Sequence, residues 1–455
     1  MKKPMTSADR ANIMLNQPIK QVIPRLAIPT IISMLITSIY NMADTFFVSQ
    51  LGTAASGAVG VTFSAMSIIQ ALAFTIGMGS GTNMSRALGR GDHEEAKRFV
   101  SLAFFTAFGV GLLLALLSLL NLDWLVRFLG ATETIAPHAK AYASYIFLAA
   151  PFVMCSFAMN NLLRFEGLAT YSMIGMASGG ILNMLLDPLL IFGLGLGTAG
   201  AAIATAISQM VSFTILLIMT NTRTDTIHIS WRNYKPTLDL YRRMLYNGFP
   251  SLGRQGIASV STILLNNVAR AWGDPAIAAL SIVSRYVMFI NASVIGFGQG
   301  FQPVCGFCYG AGKYTRVREA YSFCLKVATI ILAVLAGVSL LFAGPIVTLF
   351  RPDDPDVIRI GTLAMQLQLI AMPLWGLTVI SSMLTQSIGD GLRATIISIA
   401  RQGIFLIPIL LILPRTIGLL GLQMAQPLSD LLSFFLSAYL ARSVILQMKQ
   451  MPDRE

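Results

Sequence analysis

The sequence predicts an all-α polytopic membrane protein, with twelve transmembrane helices in two six-helix lobes that are parallel repeats around a central cleft. Three observations carry that expectation. Of 455 residues, 55% are hydrophobic and 11% charged, with mean hydropathy +0.70, whereas soluble domains carry about 25% charged residues. Apolar runs of the length needed to cross a bilayer, about 20 residues, recur along the chain. The second half of the chain also repeats the first.

The twelve spans fall at 22–48, 55–82, 98–121, 138–162, 170–194, 199–221, 243–270, 275–305, 318–344, 358–386, 394–414 and 418–445. Proline and glycine within them are tolerated because neighbouring membrane helices re-satisfy freed backbone groups. The start, Met1-Lys2-Lys3-Pro4, leads into a polar stretch without an apolar h-region, so no removable signal peptide is expected. Alternate loops differ in basic content. One side, which holds both termini, collects 22 Lys and Arg; the other has only Arg127, Lys140, Arg270, Arg351, Arg359 and Arg415. The positive-inside rule then puts both termini in the cytoplasm. It also accounts for the net charge of +12 without nucleic acid. The one long polar connection, 222–242, separates an N-terminal lobe (1–221) from a C-terminal lobe (243–455).

In the repeat, Ile28-Pro29-Thr30 aligns with Phe249-Pro250-Ser251 and continues to Ala58 beside Ala279. A shift of two residues aligns Ile76-Gly77-Met78-Gly79-Ser80-Gly81 with Ile295-Gly296-Phe297-Gly298-Gln299-Gly300. The first register then returns at Leu88-Gly89-Arg90-Gly91 beside Tyr309-Gly310-Ala311-Gly312. With six spans per unit the repeat is parallel, and a cleft between the lobes is the expected substrate path.

Acids well inside the spans are few: Asp44, Asp187 and Asp430, with Glu166 and Asp390 near span ends. An intramembrane acid is costly and marks a functional site by default. Alternatively Asp44 marks a helix end, although Phe46, Phe47 and Val48 continue the apolar run. Asn183 and Asp187, four residues apart, share one helix face. The repeat sets Leu265 against Asp44 and, from Gly167 beside Gly391, Leu411 against Asp187, so an ion site built from these acids belongs to one lobe. The C-terminal lobe instead carries Arg254, Arg285 and Arg401 in its spans, as snorkelling side chains, fixed partners or, for Arg254, a cleft residue. Two desolvated carboxylates in one cavity repel, so one holds a proton or they share a sodium ion.

Cys155, Cys305, Cys308 and Cys324 read as packing thiols. His93, His138 and His228 are scattered, giving neither a metal site nor a catalytic cluster. The glycine runs at 77–81 and 296–300 lack a P-loop Lys-Ser or Lys-Thr, so transport is expected to be secondary, without cofactor.

Tyr40-Asn41-Met42-Ala43-Asp44, Arg164-Phe165-Glu166-Gly167, Asn183-Met184-Leu185-Leu186-Asp187-Pro188 and Gly200-Ala201-Ala202-Ile203-Ala204-Thr205 occur in order in this duplicated chain. Together they resemble the multidrug and toxic compound extrusion (MATE) family. Gly296-Phe297-Gly298-Gln299-Gly300-Phe301-Gln302-Pro303, with Tyr309-Gly310-Ala311, resembles its DNA-damage-inducible (DinF-like) prokaryotic branch.

The resemblance implies an antiporter in the prokaryotic plasma membrane that exports small organic, cationic or amphipathic compounds against protons or, less favoured, sodium ions. It implies an ion-coupling network of Asp44, Tyr142, Asn160, Asn183, Asp187 and Thr205, any sodium ion sitting at Asp44 and Asp187. It also implies a first helix that bends at Pro29. Arg254, Gln299 and Gln302 are candidates for the substrate cleft, and Arg254-Gln255 stand where some sodium-coupled relatives have a glutamate. Tyr142 and Asn160, eighteen residues apart, would be about 27 Å apart on an ideal helix. The expected partners are organic substrates and membrane lipid, with a monomeric chain. A lipid or polyprenyl-linked-sugar flippase of the same superfamily is the alternative.

Overall fold

The computed structural model describes residues 6–223, 228–350, 352 and 354–454. Lys2, Lys3 and Arg351 of the charge count, and part of the 222–242 connection, lie outside the described residues. The described chain is helical. A short amphipathic helix, α1 (Ser7–Asn16), is capped by Thr6 and Asp9 in a reciprocal capping box. It falls in the stretch that the sequence leaves as merely polar. The first repeat follows as α2 (Ile19–Ser49), α3 (Thr53–Gly89), α4 (His93–Leu120), α5 (Leu122–Phe128), α6 (Ala136–Phe165), α7 (Ala169–Pro188) and α8 (Gly197–Thr222). The second comprises α9 (Leu238–Ala269), α10 (Asp274–Gly310), α11 (Tyr314–Leu341), α12 (Ala343–Phe350), α13 (Pro355–Ile388), α14 (Gly391–Ile399), α15 (Leu406–Ile417) and α16 (Leu419–Gln450).

Among the described residues, eleven helical segments are long and apolar enough to cross a membrane. The twelfth expected span is α9. It has the length, 32 residues, but Arg242, Arg243, Asn247, Arg254 and Gln255 lower its apolar content. Two spans contain π-helical stretches, Leu189–Gly193 after α7 and Ala400–Phe405 between α14 and α15. Such widened turns are frequent at functional sites.

The repeat is closer than the sequence comparison suggests. Helices α3 and α10 each have 37 residues, and α4 and α11 each have 28. Thr53 with Asp274, Gly89 with Gly310 and His93 with Tyr314 keep one constant offset, and short α5 and α12 follow in both copies. There is therefore no room for a two-residue shift at the glycine runs, and Gly79 corresponds to Gly300 rather than Gly298. The left-handed glycine that ends α6 is Gly167 (φ 88°), and the one ending α13 is Gly389 (φ 91°) rather than Gly391. This moves the position opposite Asp187 from Leu411 toward Ile409. Both are apolar, so the acid has no counterpart in either register.

Helices α6 and α13 are the pillars of the two lobes: 83% and 72% of their central windows are buried, against 28–44% in the other spans. The lobes meet through reciprocal contacts. A side chain on Gly89 would lie 2.1 Å from the Phe307 carbonyl oxygen, and one on Gly310 would lie 2.2 Å from that of Arg86. Phe307 and Arg86 are themselves repeat partners, so the contact obeys a pseudo-two-fold axis. Only glycine permits that approach. The same axis relates the α3–α9 contact (Gly79 on Met244, Gly248 on Thr75) to the α10–α2 contact (Gly300 on Ala27, Gly296 on Ile31).

Polar bonds reinforce this end. Asn247 Nδ2 donates to Asn83 Oδ1 (3.2 Å), Ser85 Oγ to Pro303 O (3.1 Å) and Arg86 Nη1 to Ile388 O (2.9 Å), while Arg243 pairs with Glu95 (2.6 Å). Helix α1 straps across the junction. Arg10 pairs with Glu166 (2.7 Å) and the Met14 carbonyl accepts from Arg316 Nε (2.8 Å). Near the C-terminus, the Arg454 amide donates to Gly312 O (3.2 Å). Among the described residues, every polar bond between the lobes lies in the half of the molecule that holds the termini. The cleft is therefore closed at that end, and the described part of the connection from His228 onward is docked on the first lobe. Trp231 and Tyr234 pack on Phe105 with ring centroids 4.8 and 5.0 Å away.

Candidate functional site

The N-terminal lobe encloses a cluster of oxygen-bearing side chains drawn from four helices. Asp44, one turn beyond buried Tyr40, is 9% exposed in the later half of α2. The Tyr142 hydroxyl on α6 donates to its Oδ2 at 3.3 Å. Asp187, fully buried at the end of α7, accepts from Asn183 Nδ2 at 3.1 Å through Oδ1, and that nitrogen also reaches Thr205 Oγ1 on α8 at 3.3 Å. The four-residue spacing on one helix face makes the Asn183–Asp187 bond possible. Asp44, Asp187 and Tyr142 lie within electrostatic reach of one another.

The acids are incompletely satisfied. Asp44 Oδ1, Asp187 Oδ2 and Asn183 Oδ1 are buried without a hydrogen-bond partner. Among the described residues, no Lys or Arg is paired with either carboxylate. A buried carboxylate in that state is strongly unfavourable unless it is neutralised. The arrangement can take a proton on either acid, or a small hard cation between oxygens of the kind such ions prefer. A cavity of about 20 Å³, lined among others by Tyr40, Gln70, Thr205 and Gln209, adjoins the cluster and has room for about one water.

Asn160 is not part of this cluster. Its amide donates to Ser172 Oγ (2.6 Å) and to the Ser172 carbonyl (3.1 Å), and Ser172 Oγ donates back to the Asn160 carbonyl (3.0 Å). It ties α6 to the start of α7, five helical turns from Tyr142. Pro29 lies within α2, which stays one helix through Pro24 and Pro29. It sits between Ala27 and Ile31, the residues of α2 that lie against Gly300 and Gly296 of α10.

The cleft candidates occupy its closed end. Gln299 Oε1 accepts from Arg164 Nη1, which reaches over from the other lobe. Gln302 Nε2 donates to Gln386 Oε1 (3.1 Å), and Gln386 Nε2 in turn donates to the Asn247 carbonyl (2.8 Å). Arg254 is half-buried on α9.

The C-terminal lobe holds a contrasting acid. Asp430 on α16 has a fully buried side chain and accepts from Arg401 Nε (2.5 Å), Gln368 Nε2 (2.8 Å) and Gln426 Nε2 (3.0 Å). The Arg401 guanidinium lies over Trp375, 5.1 Å from the ring centroid. Arg401 is thus a fixed partner, supplied by the π-helical stretch, whereas Arg285 is exposed.

Sequence reasoning passed over Tyr40, Gln70 and Gln209 of the cavity, and the buried Arg10–Glu166 pair. Carrying the repeat register from Gly197 to Gly418 would have set Gln209 against Asp430. The four cysteines are buried and free. Among the described residues, no group of three His, Cys, Asp or Glu side chains is arranged to hold a metal.

Two repeated helical lobes around a cleft, with buried acids that lack a cationic partner among the described residues in one of them, define a polytopic membrane transporter rather than an enzyme. The chain belongs to the MatE transporter family, whose family model matches residues 29–189 and 250–412, one block in each repeat. It is similar to the multidrug export protein MepA of Staphylococcus haemolyticus, at 28% identity over 419 residues, covering 92% of each chain. Among solved structures, that of MATE in complex with MaL6 superimposes with a TM-score of 0.92 at 27% identity, covering 97% of this chain and 99% of that one. An outward-facing multidrug resistance MATE family transporter matches with a TM-score of 0.90, again at 27% identity and with the same coverage.

Proposed function

We propose that the protein is a monomeric secondary antiporter of a prokaryotic plasma membrane. It exports organic, cationic or amphipathic compounds in exchange for protons, with sodium the less favoured ion. The observation that carries this reading is the pair of buried carboxylates, Asp44 and Asp187, each with an oxygen lacking any partner and neither neutralised by a cation. The similarity to a protein named for multidrug export supports the substrate class.

The lobes, 1–221 and 243–455 joined through 222–242, alternate access to the cleft. The charge bias of the loops supports cytoplasmic termini, so the closed end is the cytoplasmic one and this is an outward-open state. Ion uptake at Asp44, Asp187, Asn183, Thr205 and Tyr142 changes the charge inside α2, α6, α7 and α8. Pro29 removes one rung of the α2 ladder within the stretch that lies against Gly296 and Gly300 of α10, so a bend there shifts the lobe boundary. Coupling requires the ion to bind one cleft state more tightly than the other.

Proteoliposomes with independently imposed proton and sodium gradients test this. Export of ethidium driven by a proton gradient alone is expected. Export that responds to neither gradient overturns the antiport reading, and a response to sodium alone reassigns the ion.

A further inference from the structure

At the floor of the cleft two cations, Arg164 and Arg254, have no acid paired with them among the described residues. Arg164, on the last turn of α6, is 1% exposed. Its guanidinium is held by neutral groups: Gln299 Oε1, Asn161 Oδ1 (2.6 Å), the Met78 sulfur (3.0 Å) and the face of Phe165 (5.4 Å to the centroid). Its Nε is buried without a partner. Arg254 belongs to the other lobe, stands within electrostatic reach of Arg164, and forms no ion pair with any described residue.

Its position on α9 directs it into the cleft. Arg254 follows Asn247 by seven residues, about two turns, and so shares its face. Asn247 donates across the lobe boundary to Asn83, so Arg254 looks across the same boundary, one layer nearer the open end.

The helices around this point supply no counter-charge. Helix α3 contains no Asp or Glu, and α9, α10 and α13 contain one each, Asp239, Asp274 and Asp356, all in first turns far from Arg254. Asp44 of α2 is engaged by Tyr142 inside the N-terminal lobe, and Asp430 by Arg401. Two desolvated like charges from opposite lobes repel. An anion between them would neutralise both and match guanidinium geometry with charge-assisted hydrogen bonds.

We propose that the floor of the cleft, between Arg164 and Arg254, binds the anionic headgroup of an amphipathic substrate, a carboxylate or a phosphate ester. The inference rests on the antiport reading only in taking the cleft as the substrate path. Within the amphipathic compounds of that reading, it adds acidic and zwitterionic ones as those the cleft floor holds most tightly.

Calorimetric titration of the full-length protein in phosphatidylcholine nanodiscs with tail-matched dodecyl phosphate and dodecyltrimethylammonium tests it. The phosphate is expected to bind about tenfold or more tightly than the ammonium compound, the scale of one charge-assisted contact. R254Q should remove that preference and R254K retain most of it, each judged on protein with unaltered size-exclusion behaviour. Equal binding of the two probes to the native protein, or an unchanged preference in R254Q, overturns the proposal. Competition by phosphatidylglycerol added to the nanodiscs assigns the site to a lipid headgroup. Competition by free dodecanoate without competition by phosphatidylglycerol assigns it to a soluble amphiphile, and either result supports the anion site. If ethidium export follows the proton gradient while the phosphate preference is absent, the inference falls and the antiport reading stands.

Discussion

The two lobes fold one helical plan around opposite electrostatic solutions. Gly197 and Gly418, both with positive φ, start matching helices, so Thr205 corresponds to Gln426 and Gln209 to Asp430. In the C-terminal lobe the acid at that position has its cation and two amide donors. In the N-terminal lobe the position is a neutral glutamine with an orphaned oxygen, and the acids have moved to Asp44 and Asp187 without any cation. The first arrangement is complete and needs no ligand. The second is incomplete and waits for a charge to arrive. Duplication thus left a structural acid in one copy and a responsive pair in the other.

Breaking the two acid sites should have unlike consequences. The largest effect falls on transport: D44N and D187N, which keep side-chain shape, should reduce gradient-driven ethidium export to the level of protein-free liposomes while leaving the melting temperature unchanged. Export that survives in both variants would put coupling elsewhere. R401Q should do the reverse by stranding a buried carboxylate, costing roughly 3–5 kcal/mol, visible as a large fall in the melting temperature; an unchanged midpoint would remove the contrast between the lobes. Next come G89A and G310A, which place a methyl against a carbonyl on each side of the pseudo-two-fold axis. Each should cost about 1–3 kcal/mol and lengthen spin-label distances across the closed end by similar amounts. Unequal shifts would show that the floor is not symmetric. The smallest effect is expected from S172A, which removes the Ser172 hydroxyl that bonds Asn160, at about 1 kcal/mol with the gradient dependence of export intact. A change of coupling ion in that variant would return Asn160 to the network.

The spans, the repeat and the placement of Asp44, Asn183 and Asp187 were legible because hydropathy, helical spacing and a misplaced charge are local signals. The register at the glycine runs was not. Ile-Gly-x-Gly-x-Gly matches itself in more than one alignment, and the equal lengths of α3 and α10, with the reciprocal contacts of Gly89 and Gly310, choose between them. The partner of Asp430 was hidden for another reason. Arg401 reaches it through a π-helical stretch that departs from the 3.6-residue spacing used to read faces. The bond of Asn160 to Ser172 was hidden too, since residue type says nothing about which neighbouring helix a side chain meets. Helix α1 escaped notice because ten residues are too few to advertise a span.

That short helix bears on how the protein is made. Its anchors, Glu166 and Arg316, lie 156 and 302 residues beyond the groups they hold. At about 5–20 residues per second, the ribosome needs on the order of 15–60 s to produce the later one. Helix α1 therefore cannot take its seat until the start of α11, in the second repeat, has emerged and met the end of α6. A chain that stalls before α11 leaves that helix undocked, a mark by which quality-control proteases can tell such molecules from finished ones.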